Sequence, residues 1–150
     1  MDSSAPPDEE CGGTLFCHHD GSAENAYGWS FGWTEPSCGA FAEAFGLGYG
    51  RVVCGAYWCS QIGWFYGEPM DAYVWAGGGT REPGEVLCLI PGVALDNVPY
   101  WPDCGQDDVP IDCCVSGEFT AGWWADFTEQ PLQWYICADE DGPGAILGPA

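Results

Sequence analysis

Cysteine occupies ten positions, Cys11, Cys17, Cys38, Cys54, Cys59, Cys88, Cys104, Cys113, Cys114 and Cys137, and no two of them form a C-x-x-C pair. Without that pair, and without the Cys/His spacing of a zinc finger, zinc is the weaker use for so much sulfur. An even count suits disulfides, which persist in secreted proteins and are reduced in the cytosol. The expectation is therefore an exported chain in which all ten cysteines are paired, with the connectivity left open by spacing alone. Cys113 and Cys114 add a geometric condition. Neighbours on a strand point to opposite faces, so the two must seek different partners, one stapling the core and the other a surface loop.

The 150 residues suit one domain, long enough to bury about 70% of its extended surface. Nine Trp, seven Tyr and seven Phe supply apolar bulk, while 23 Gly and 12 Pro forbid long helices. The class expected is all-β with few or no helices. Tyr27, Trp29, Phe31 and Trp33 alternate with small residues and so place an aromatic face on one strand. Further strands are expected over 41–45, 50–62, 70–75, 85–90, 108–115, 118–125 and 132–138, each bounded by Gly or Pro. Such spacing predicts a disulfide-stapled antiparallel β-sandwich of jelly-roll-like topology over residues 26–150. Residues 1–25 read as a separate acidic arm.

Charge narrows the partners. The chain carries 23 acidic residues, two arginines and no lysine, a net charge of −21. Neither nucleic-acid phosphate nor an anionic membrane would find cationic partners on it. Cations and neutral ligands such as glycans are compatible. No apolar run reaches membrane-spanning length, and residues 1–10 lack the basic and hydrophobic regions of a signal peptide. The chain is thus read as a mature form, with export inferred from its cysteines.

One set of motifs carries a resemblance. It begins with Ala40-Phe41-Ala42-Glu43, Pro69-Met70-Asp71-Ala72-Tyr73-Val74-Trp75, Pro83-Gly84-Glu85-Val86-Leu87-Cys88 and Gly92-Val93. It continues through Tyr100-Trp101-Pro102, Asp108-Val109-Pro110-Ile111, Cys113-Cys114-Val115-Ser116-Gly117-Glu118-Phe119, Gly122-Trp123-Trp124 and Ala138-Asp139-Glu140-Asp141-Gly142-Pro143-Gly144. Taken together, residues 26–144 resemble uncharacterised secreted bacterial cell-surface β-sandwich modules. The resemblance implies an extracellular or cell-surface location in a bacterium and carries no established catalytic residues. Similar modules run past the D-x-D-G-x-G-like segment into a further strand, whereas Ile146-Leu147-Gly148-Pro149-Ala150 follows it here. A sheet edge would then stand open. The segment Gly12-Gly13-Thr14-Leu15-Phe16 is the candidate to fill it, either within its own subunit or as a strand donated to a neighbour.

Candidate ligand sites are sparse. His18, His19 and Asp20, with Glu24, could hold a transition metal, though adjacent histidines on an exposed arm are commonly plain surface residues. Asp139 and Asp141 before Gly142 resemble half of a calcium loop, with an acidic turn as the simpler reading. Asp107, Asp108 and Asp112 make a second acidic patch. Trp29, Trp33, Trp64, Trp101, Trp123, Trp124 and Trp134 could stack on the C–H face of a pyranose, although most must serve the core. G-x-S-x-G, H-E-x-x-H, P-loop and G-x-G-x-x-G motifs are all absent, so no enzyme is expected. The functional expectation is an extracellular structural protein, a homo-oligomer or filament built by strand exchange and bridged by calcium where ions bind. The alternative is a secreted carbohydrate-binding module.

Overall fold

The computed structural model describes residues 22–27, 38–63, 65–77, 84–126 and 134–138, with the backbone alone at 38–41, 43, 47–49 and 125–126. Six strands make up the described structure: β1 (Asn25–Tyr27), β2 (Cys38–Ser60), β3 (Met70–Ala76), β4 (Val86–Val93), β5 (Gly105–Asp126) and β6 (Tyr135–Ala138). They form one antiparallel sheet in the order β1-β6-β2-β5-β3-β4. The all-β class expected from the glycine and proline content is what forms. Among the described residues, hydrogen bonding runs continuously through a single sheet.

Two long strands replace four short ones. Segments 41–45 and 50–62 join as β2, and 108–115 and 118–125 join as β5. The glycines between them kink the ladder without ending it. Gly46 faces Glu118 and Tyr49 faces Ser116, so the ribbon carries an irregularity in which Gly117 takes φ 76°. A second irregularity follows between Val52 and Cys54, where Asp112 takes φ 58°. Aspartate is among the few residues that tolerate this region. Pro110, which has no N–H to give a ladder, stands beside that break.

These kinks fold the ribbon over itself. The Tyr57 hydroxyl donates to the Gly122 carbonyl at 3.1 Å, yet Gly122 pairs with Ala42, fifteen residues away from Tyr57 along β2. A straight strand would separate Tyr57 from Ala42 by roughly 50 Å. Only a bent ribbon brings them together. Trp123 and Trp134 report the same closure: Trp123 pairs with Phe41, Trp134 adjoins the β6 residue that pairs with Ser60, and their ring centroids are 4.5 Å apart.

The core lies inside this bend. On β5, Val109, Ile111, Cys113 and Val115 are buried while Pro110, Asp112, Cys114 and Ser116 face solvent, the period-two pattern of a half-buried strand. Met70, Ala72 and Val74 of β3 pack into the same cluster with Tyr57, Phe119, Trp123 and Trp134. Leu95 and Val98 close it from the loop before β5. Asp107 holds that loop by accepting hydrogen bonds from the backbone N–H groups of Asp96 (2.9 Å) and Asn97 (3.2 Å).

Two disulfides tie the described elements. Cys88–Cys113 joins β4 to the middle of β5, and Cys104–Cys137 joins the start of β5 to β6. They close loops of 25 and 33 residues. In the chain-entropy account each contributes about 3–4 kcal/mol. Cys54 is also disulfide-bonded. On the outer face the Arg51 Nε donates to the Asp112 carboxylate, and this hydrogen bond holds the Asp112 carboxyl below its usual range.

Candidate functional site

Most of the metal-ligand candidates, namely His18, His19, Asp20, Asp139 and Asp141, lie outside the described residues, as do Gly12, Gly13, Thr14, Leu15 and Phe16. Glu24 is described: its N–H donates to the Ala138 carbonyl at 3.1 Å, and its carboxylate accepts from the Ser22 hydroxyl at 2.7 Å. The second acidic patch is dispersed into separate contacts. Asp107 holds the 94–104 loop, Asp108 accepts from Gln106 Nε2 at 2.7 Å, and Asp112 accepts from Arg51. Among the described residues no group of three or more His, Cys, Asp or Glu side chains converges as a metal site would. Among the described residues no helix is long and apolar enough to cross a membrane.

Of the ten cysteines expected to pair, Cys11, Cys17 and the Cys38 side chain lie outside the described residues, and two of the others need correction. Cys59 and Cys114 are free thiols. The reason lies in strand geometry, since Cys113 turns inward to Cys88 while Cys114 turns out to solvent on the opposite face. Cys59 sits fully inside the core, where burial, reinforced by the negative charge of Asp107, pushes its thiol up to about 12. Only a thiolate is a strong nucleophile. The native protein should therefore label at Cys114 with Ellman's reagent while Cys59 stays silent until denaturant is added. Peptide mapping after alkylation distinguishes the two, and labelling of native Cys59 at the Cys114 rate would contradict the burial.

The tryptophans divide as a core demands. Trp123 and Trp134 are 0% exposed and Trp75 is buried, whereas Trp124 is 37% exposed, so Trp123 and Trp124 do face opposite sides. Trp58 donates from Nε1 to Gln106 Oε1 at 2.7 Å. Trp29, Trp33 and Trp64 lie outside the described residues. Trp101 remains, half-buried and placed in a groove.

That groove is lined by Asn25 and Ala26 of β1, Ser60 at the end of β2, Ile62, Trp101 and Tyr135 of β6. It holds about 230 Å³. Its walls are fastened to each other. The Gln61 N–H donates to the Pro99 carbonyl and the Trp101 N–H to the Gln61 carbonyl, both at 2.9 Å, while Gln61 Nε2 donates to the Val98 carbonyl at 2.7 Å. Three residues after Trp101, Cys104 is bonded to Cys137, two residues after Tyr135. Tyr100 stands beside the groove, 64% exposed, its ring edge 3.6 Å from where a side chain on Gly63 would begin. Ser60 is 0% exposed and its Oγ has no hydrogen-bond partner. Of these residues only Trp101 stands out in the sequence as a candidate. The Tyr100-Trp101-Pro102 run close to Cys104 was the available signal for the rest of the rim.

A second feature is the sheet edge. β4 is the last strand in the order, with Val86 (48%), Leu87 (39%) and Leu89 (46%) exposed. None of its eight residues is charged, in a chain of net charge −21.

No family model matches the chain, and no curated protein or solved structure matches it either.

Proposed function

We propose that the protein is an extracellular structural subunit that assembles with copies of itself by strand addition at the β4 edge. The observation that carries this reading is the uncharged, apolar character of an edge strand in so acidic a protein. Sheet edges carry unpaired N–H and C=O groups, and natural proteins ordinarily guard them with charge, proline or a cover. β4 has Pro91 near one end and no charge along its length. An added strand would satisfy the open ladder and cover Val86, Leu87 and Leu89. The strand comes from residues 12–16 of a neighbour, in the manner of β-augmentation. Such a contact joins unlike surfaces, so it propagates head to tail into a filament unless it closes into a ring. Disulfides on β4 and β5 suit a subunit that must hold its shape outside the cell.

Native material examined by light scattering and negative-stain microscopy should be polymeric. The double substitution Leu87→Lys with Leu89→Lys should weaken self-association at least about tenfold, since two charges would enter each junction. Deleting residues 1–21 should give the same loss while β1 is retained. The double lysine variant should melt close to the parent, because exposed substitutions change stability by only about 0.5 kcal/mol each. Polymers that persist in both variants would remove the reading.

A further inference from the structure

We infer that the groove between β1, β6, the end of β2 and the 98–104 loop is a binding site for one neutral pyranose ring of a glycan. The inference is independent of assembly at β4, which lies at the opposite end of the strand order.

Three observations select this ligand. The first is an aromatic rim held rigidly. Tyr100 is 64% exposed beside the groove, and Trp101, half-buried, lines it. Their backbone is bonded to Gln61 on both sides and anchored by the Cys104–Cys137 disulfide. Rigid aromatic faces set beside a cleft stack well on the C–H face of a sugar, because little conformational entropy is lost on binding.

The second is polar chemistry within the groove. The Ser60 hydroxyl is buried and lacks a partner, which costs about 1–3 kcal/mol in the unliganded protein. A sugar hydroxyl is both donor and acceptor and can relieve that cost. Tyr135 shares the same lining, and its hydroxyl adds a donor and acceptor beside an apolar wall, while the Asn25 amide is engaged with the Tyr27 hydroxyl and the Ala26 N–H.

The third is size and charge. At about 230 Å³ the groove is smaller than the roughly 300 Å³ of the smallest drug-sized pockets, and suits one ring with its chain continuing into solvent. A net charge of −21, with no lysine, repels uronates and sulfated sugars. None of the lining residues is a carboxylate that would hold a cationic sugar, so the occupant is neutral.

The test uses the full chain, dilute enough to be monomeric, titrated with cellohexaose, maltohexaose and chitohexaose and followed by tryptophan fluorescence and by NMR. A hexamer of galacturonic acid serves as the acidic probe. At least one neutral hexasaccharide should bind saturably, with Kd of order 1 mM, and the acidic probe should bind at least about tenfold more weakly. Ser60→Ala should weaken binding about tenfold while leaving the melting temperature unchanged or higher, since it removes an unsatisfied group. Tyr100→Ala, at an exposed position, should weaken binding by a similar factor with the fold intact. No saturable response to any neutral probe, parent-like binding by both variants, or equal binding of the galacturonate would each overturn the proposal. Loss of self-association in Tyr100→Ala, with no sugar bound by the parent, would assign the groove to a second copy of the chain and overturn it too.

Discussion

Replacing Trp123 with alanine will cost about 3–5 kcal/mol of folding stability, the range for a fully buried large aromatic side chain. Trp123 is 0% exposed, pairs along the ladder with Phe41 on one side and Ala72 on the other, and meets the ring of Trp134 at 4.5 Å and 51°. A domain of this size is stable by only about 5–15 kcal/mol, so the loss is a large share of the total. Trp124, the next residue, is 37% exposed on the other face. Trp124→Ala should cost under about 1 kcal/mol, and urea unfolding of both variants provides the comparison. The contrast also probes the fold. Trp123 and Trp134 come from opposite ends of the bent ribbon, so the pair should show a coupling of about 0.5–1.5 kcal/mol in a double-mutant cycle. Equal costs at 123 and 124, or no coupling between 123 and 134, would mean that the ribbon does not close in this way.

What sequence reasoning could reach was local. Glycine and proline frequency ruled out helices, and the alternation of Val109, Ile111, Cys113 and Val115 with polar neighbours marked a strand with one buried face. Gly46, Gly50 and Gly117 misled it, because glycine serves both turns and bulges and only the pairing partner distinguishes them. Two strands therefore read as four. The groove was hidden for a related reason. Asn25, Ser60, Trp101 and Tyr135 are far apart in the chain and meet only because β6 pairs with both β1 and the end of β2. Counting cysteines in pairs failed at Cys59 and Cys114, where a partner would have to lie about 5.5–6 Å away between Cα atoms on the same face.

Cys59 also sets the alkaline limit of the fold. Burial raises its thiol from an ordinary 9.0 to about 12, so the folded state keeps a proton that the unfolded chain releases. Its stabilising effect is complete below pH about 9 and is lost as pH rises toward 12, at about 1.4 kcal/mol per pH unit. Burial, and then the charge that Cys59 would acquire, likewise raise Tyr57 above its ordinary 10.0. The Tyr57 proton is the one donated to Gly122, so its loss would break the bond that holds the two halves of the ribbon together. Stability measured in urea should be level from pH 8 to 9 and should then fall by about 3 kcal/mol or more by pH 11. In Cys59→Ala the fall should begin later, near pH 10, and be shallower, because only Tyr57 then titrates and its own shift is reduced. A parent whose stability is flat to pH 11, or a Cys59→Ala variant with the parental slope, would show that the thiol is not held in the core of a closed ribbon.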